Sequence, residues 1–148
     1  MGLFRKSNSN QEGRQLLDEG GRLAASGAHR EALVPYGKLL ELCRESGDRA
    51  GEGAALNGLG TAHYNLSQFP EALEHWQKAL ALWREMGNRA VEGRTLNNLA
   101  WLYEQLGRPK EALEQFDEAL AIAREAGDRE LEGALLESIE KVRQGMGA

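Results

Sequence analysis

A chain of 148 residues with a formal net charge of −5 and a single cysteine has enough sequence for one domain with a continuous core. The acidic balance excludes a nucleic-acid binder, which needs clustered Lys and Arg against phosphate, and no apolar run approaches the roughly 18 to 20 residues that span a bilayer, so no membrane partner is expected. Lone Cys43 cannot close an internal disulfide, which points to a reducing, cytoplasmic compartment.

Residues 1–10, with Ser7, Asn8, Ser9 and Asn10 in a row, lack hydrophobic periodicity and read as a flexible lead-in. Leu3 and Phe4 are too short an apolar element for a signal peptide. A first helix is expected over 11–25, interrupted by Gly20 and Gly21. A second is expected over 30–46, with Ala32, Leu33, Tyr36, Leu39, Leu40 and Cys43 at helical spacing. Pro35 either stands in the first turn of a helix starting near Val34 or kinks a longer one, because it removes a donor and crowds the carbonyl four residues back. Together with Gly37 it makes this first hairpin the one expected to open first.

Further helices are expected over 50–66, 70–86, 90–106 and 109–126. The stripes are Leu56, Leu59, Gly60, His63 and Leu66; Phe69, Ala72, Leu73, Trp76, Ala79, Leu80 and Trp83; then Leu96, Leu99, Ala100 and Tyr103; and Ala112, Leu113, Phe116, Ala119, Leu120 and Ala123. Small residues among large ones let antiparallel helices approach closely. At Gly47, Gly87 and Gly127 a Gly-Asp-Arg or Gly-Asn-Arg triplet supplies a left-handed stop and then a side chain able to cap the next helix. A seventh helix over 130–144 has Leu131, Leu135, Ile139 and Val142 on one side and charge on the other, the pattern of a solubilising cap.

These elements repeat. Residues 47–86 and 87–126 share about 18 of 40 positions without a gap, a third start opens at Gly127, and a worn copy covers 11–46. Self-similarity at such a period marks a stacked-repeat architecture. Along each repeat run Leu56, Leu59, Gly60 and His63, then Ala72, Trp76 and Ala79; or Leu96, Leu99, Ala100 and Tyr103, then Ala112, Phe116 and Ala119. In this pattern the chain resembles the tetratricopeptide repeat proteins. The period is 40 rather than the family's usual 34, and a Gly-Asp-Arg-x-x-Glu-Gly linker stands where the family ends its second helix with proline. This longer form is similar to repeats of G-protein regulator scaffolds and of bacterial signalling regulators. The resemblance implies an all-α, right-handed superhelical solenoid of three helix hairpins plus a capping helix, a single domain over 11–145. It also implies a protein interaction module, an adaptor or scaffold, that binds an extended segment of a partner in its concave groove.

First helices of the hairpins line that groove, so their residues turned away from the second helices are the candidate site. They are Arg14 and Leu17; Asn57, Thr61, Tyr64 and Asn65; Arg94, Asn97, Trp101, Glu104 and Gln105; and Glu137 and Lys141. Asn57 and Asn97 lie one repeat apart and each offers a donor and an acceptor to peptide main chain. Arg94, one turn before Asn97, suits a carboxylate, and Tyr64 and Trp101 suit anchoring. The competing readings are that the asparagines only bond between neighbouring helices, and that Trp101 only packs between repeats.

No enzyme, cofactor or metal is expected. His29, His63 and His75 fall on a loop, in a core slot and on a helix surface, without metal-ligand spacing. The glycines form no phosphate loop, and Cys43 and the serines lack a base. Two other functions compete: a homo-oligomer formed through the weak first repeat, and a sensor whose first repeat orders around a small ligand.

Overall fold

The computed structural model describes residues 2–147, with side chains from residue 8 onward; Met1 of the expected lead-in lies outside them. Among the described residues there are seven helices and no strand: α1 (Gly2–Ala25), α2 (His29–Ser46), α3 (Arg49–Asn65), α4 (Phe69–Glu85), α5 (Arg89–Gln105), α6 (Pro109–Ala126) and α7 (Arg129–Gly147). The last six begin within a residue of the expected positions. The first does not: α1 starts at Gly2 rather than near Gln11, so the backbone of 2–10 is helical and not an irregular lead-in. Once a helix is nucleated, each added residue gains a hydrogen bond, and Ser or Asn costs only about half a kcal/mol against alanine. Helix α2 runs through Pro35, which is buried in its interior. Of the two expected alternatives the start near Val34 with Pro35 in the first turn is not adopted; the helix is the longer one, and the Glu31 carbonyl forgoes its ladder donor.

Linker chemistry follows the sequence closely. Gly47, Gly87 and Gly127 have φ of 73°, 68° and 68°, and the next side chain caps the following helix: Asp48 Oδ1 accepts from Gly51 N at 3.0 Å, Asn88 Oδ1 from Val91 N at 3.4 Å, and Asp128 Oδ1 from Leu131 N at 3.0 Å. The linker glutamate has its own role. Arg44 donates to Glu52 at 3.2 Å, Arg84 to Glu92 at 3.1 Å and Arg124 to Glu132 at 2.8 Å. The last turn of one helix is thus tied to the first turn of the next, with the acid at a helix N-terminus where the macrodipole favours it. Glu92 is buried and also receives Arg89 at 3.2 Å, while Arg89 forks onto Glu125 at 2.7 and 2.9 Å.

Two compact units divide the chain, Met1–Leu82 and Trp83–Ala148. In the first, Ala32, Tyr36 and Leu59 form one buried cluster, and Leu39, Cys43 and Ala55 another. The Tyr36 ring is clasped by two glycines: a Cβ on Gly20 or on Gly58 would stand 2.6 Å from its Cε1. Gly20 therefore serves packing and is not mere weakness in α1, whereas a Cβ on Gly21 or Gly37 would meet open space. Replacing either by alanine is expected to raise stability by about 0.5–1 kcal/mol, and Gly20→Ala to lower it; urea unfolding of the three variants separates the two classes. In the second unit the core is Leu96, Leu99, Leu102, Phe116, Ile122, Leu135, Ile139 and Val142, the last three elements each contributing a buried stripe.

The turns inside the hairpins also repeat. Gly27 and Gly107 take φ of 83° and 69°, and at the matching register Ser67 takes 58°. An L-residue pays roughly 1 kcal/mol in that region. Ser67→Gly should therefore raise the melting temperature, and no change would show that the serine is not strained.

Candidate functional site

The first unit carries the first helices α1 and α3, the second α5 and the capping helix α7, and most candidate residues lie on α3 and α5. On α5 the period of 3.6 turns Leu96, Leu99, Ala100, Leu102 and Tyr103 inward, where all are buried. Arg94, Asn97, Trp101 and Glu104 fall on the other side at steps of three and four: Arg94 and Trp101 are exposed, Asn97 and Glu104 half-buried. Trp101 is 39% exposed and sets its ring at right angles to Phe116, with centroids 5.5 Å apart. It is held in place by its own hairpin and still offers one face outward. On α3, Asn57 and Tyr64 are half-buried and Asn65 is exposed. Tyr64 lies against Phe69 and Trp76, both at 5.6 Å between centroids, so much of its ring is already spent within the hairpin.

Several side chains on these faces keep their hydrogen-bonding capacity. Asn57 and Asn97 make no side-chain hydrogen bond among the described residues, and Arg94 makes no ion pair among them, while Arg84, Arg89, Arg108 and Arg124 are each engaged. The amide atoms of both asparagines reach solvent, so each remains available to an incoming polar group. Glu137 and Lys141 on α7 are paired with each other at 3.1 Å.

The close approach behind the α3 face is made by Gly60, where a Cβ would overlap the Trp76 indole. Trp76 and Trp83 are core residues, 3% and 6% exposed. Cys43 is buried too; burial, with Asp48 and Glu52 beside it, pushes its thiol up and leaves it a poor nucleophile. No cluster of three or more metal-binding side chains occurs among the described residues, and none of the described helices is long and apolar enough to cross a membrane.

One feature escaped the sequence reading. His63 and His75 are stacked, with centroids 5.1 Å apart and planes 13° from parallel, so His75 is not a plain surface residue. Its Nδ1 bonds the Glu71 carbonyl at 2.8 Å, and His63 Nδ1 bonds Gln68 Oε1 at 2.7 Å. The twelve-residue separation is the hairpin register that brings Tyr64 onto Trp76, and that was the available signal. Burial first, then the neighbouring His63 and Lys78, hold His75 below the usual histidine range against the opposing pull of the Glu71 carbonyl and Glu74. A depressed pKa means the unfolded chain binds the proton more readily. The neutral stack is therefore fully stabilising above about pH 6.5, and the contribution is lost as pH falls through the lower folded value. Unfolding midpoints should drop between neutral and mildly acidic pH, and His75→Gln should flatten that drop.

A family model described as tetratricopeptide repeat matches residues 51–125. Among curated protein sequences none matches this chain. Among solved structures, the tetratricopeptide domain of FLU from Arabidopsis shares 22% identity over 76% of this chain and 95% of that one, with a TM-score of 0.73. Aspartyl phosphate phosphatase F from Bacillus subtilis shares 16% identity over 93% of this chain and 36% of that one, at 0.85. PcrH, in complex with the chaperone binding region of PopD, shares 20% over 90% and 92%, at 0.75. At these identities the likeness is one of fold: an all-α helical repeat.

Proposed function

This chain is a tetratricopeptide repeat protein, and from that premise we propose that it is an adaptor that binds an extended segment of a partner protein along its first-helix faces. The observation that carries the reading is the pair Asn57 and Asn97, amides one repeat apart that are half-buried and unpartnered among the described residues. Each can accept from a peptide N–H and donate to a peptide C=O, which ties a chain in extended form without regard to its side chains. Arg94 supplies a positive charge one turn away, and Trp101 an aromatic face whose burial by a ligand costs little entropy because Phe116 already holds it. Asn65, Tyr64 and Glu104 complete the two faces. The role is binding without catalysis, and lone, buried Cys43 fits a reducing compartment such as the cytoplasm.

The complex of PcrH with a region of PopD is one protein of this fold holding a segment of another. The test is affinity capture from source-cell extract with the wild-type chain and with an Asn57→Ala, Asn97→Ala, Arg94→Ala variant that circular dichroism shows to be folded. A protein retained by the first and lost by the second supports the reading. The same proteins on both would move binding away from these faces.

A further inference from the structure

Two grooves in the structure are copies of one another. The first, about 310 Å³, lies among α1, α2 and α3 within the first unit; the second, about 510 Å³, lies among α5, α6 and α7 within the second. Gly13, Arg14 and Asp48 line the first, and Gly93, Arg94 and Asp128, 80 residues further on, line the second. The floors correspond as well: Leu42 answers to Ile122, and Cys43 to Ala123. The fold makes the hollow twice, and each time a glycine on the first helix leaves it open.

Chemistry at the rims is alike. Asp48 and Asp128 are spent as helix caps, accepting from Gly51 N and Leu131 N. Arg14 and Arg94 are exposed, and neither has an ion pair among the described residues. An apolar floor beside a free guanidinium is complementary to an apolar side chain that stands next to a carboxylate. Glu130 also lines the second groove, so its preference for acid is the weaker of the two.

Resting on the peptide-binding reading above, we infer that each unit carries one socket for an apolar residue adjacent to Asp or Glu in an extended segment. The chain is therefore bivalent for that motif. A partner bearing the motif twice gains avidity from two modest contacts wherever its spacer can reach both.

The sockets can be plugged one at a time. Ala54 lines the first and Ala134 the second, both on helices, and alanine to leucine on a helix costs little in propensity. The probe is a randomised nine-residue peptide library displayed with flanking sequence on both sides, so that no free C-terminus is offered. The expected result is enrichment of Leu, Ile, Met or Phe within two positions of Asp or Glu. Calorimetry with an enriched peptide should then give two molecules per chain, one for Ala54→Leu or Ala134→Leu, and none for the double variant. Arg14→Gln and Arg94→Gln, which leave the floors untouched, should each weaken one of the two binding events and provide the same assignment if a plugged chain fails to fold. A stoichiometry of one, or plugs and charge removals that change nothing, overturns the bivalent reading while leaving peptide binding in place. Failure to enrich any peptide overturns both.

Discussion

Replacing Phe116 by alanine is expected to cost about 3–5 kcal/mol, the usual range for deleting a fully buried aromatic ring from a packed core. Phe116 is completely buried and, among the described residues, is the bulkiest fully buried side chain, with the Trp101 ring at right angles to it. Its loss removes ring contacts on several sides at once, and the hollow left behind collapses only partly because the surrounding helices are fixed by their caps and linker ion pairs. A domain of this size has only about 5–15 kcal/mol of total stability, so the variant should lie near the edge of folding at 37 °C. Urea unfolding checks it. The variant should also free the Trp101 ring, seen as a red shift in tryptophan emission before any global unfolding. A loss under about 1 kcal/mol would mean that the α5–α6 hairpin is not packed as described.

Gly60→Ala is the second large effect, and its direction opposes helix propensity. Alanine in place of an interior glycine ordinarily gains about 1 kcal/mol. Here the added methyl would occupy the space of the Trp76 indole, a rigid ring that is itself 3% exposed and has nowhere to move. Overpacking of this kind costs about 1–3 kcal/mol, so a net loss is expected. The third repeat shows the remedy: at the same register it pairs Ala100 with Phe116. Gly60→Ala combined with Trp76→Phe should recover much of the loss, a coupling that a double-mutant cycle measures directly. Equal effects of Gly60→Ala with either ring present would remove the steric explanation.

Much of this was legible in the sequence because the repeat states each rule more than once. The stripe at Leu96, Leu99, Ala100 and Tyr103 and the glycine stops at Gly47, Gly87 and Gly127 are local signals, and helix ends followed from them. Helix α1 was read too short because Ser7 to Asn10 have no apolar period, yet propagation of a helix needs none. Sequence alone leaves Pro35 either in a first turn or at a kink because its cost is local, while the burial that offsets it is tertiary. The linker glutamates were seen as a motif without a purpose: pairing of Glu92 with Arg84 depends on two helices meeting across a turn. The His63 and His75 stack was missed for the same reason, since neither residue announces its partner. The faces of α3 and α5 were identified residue by residue, but that Tyr64 is largely spent on Phe69 and Trp76, and Trp101 only partly on Phe116, is decided by packing that spacing alone does not give.

The central claim is that Asn57, Asn97 and Arg94 hold a partner's extended segment, and it rests most directly on one comparison. The partner segment retained in the affinity capture is titrated against the wild-type chain and against the folded triple-alanine variant. Two lost amide contacts at about 1 kcal/mol each, together with a charge-assisted contact at about 1.5–3 kcal/mol, predict weakening on the order of a hundredfold or more. Equal affinity for the two chains would contradict the account.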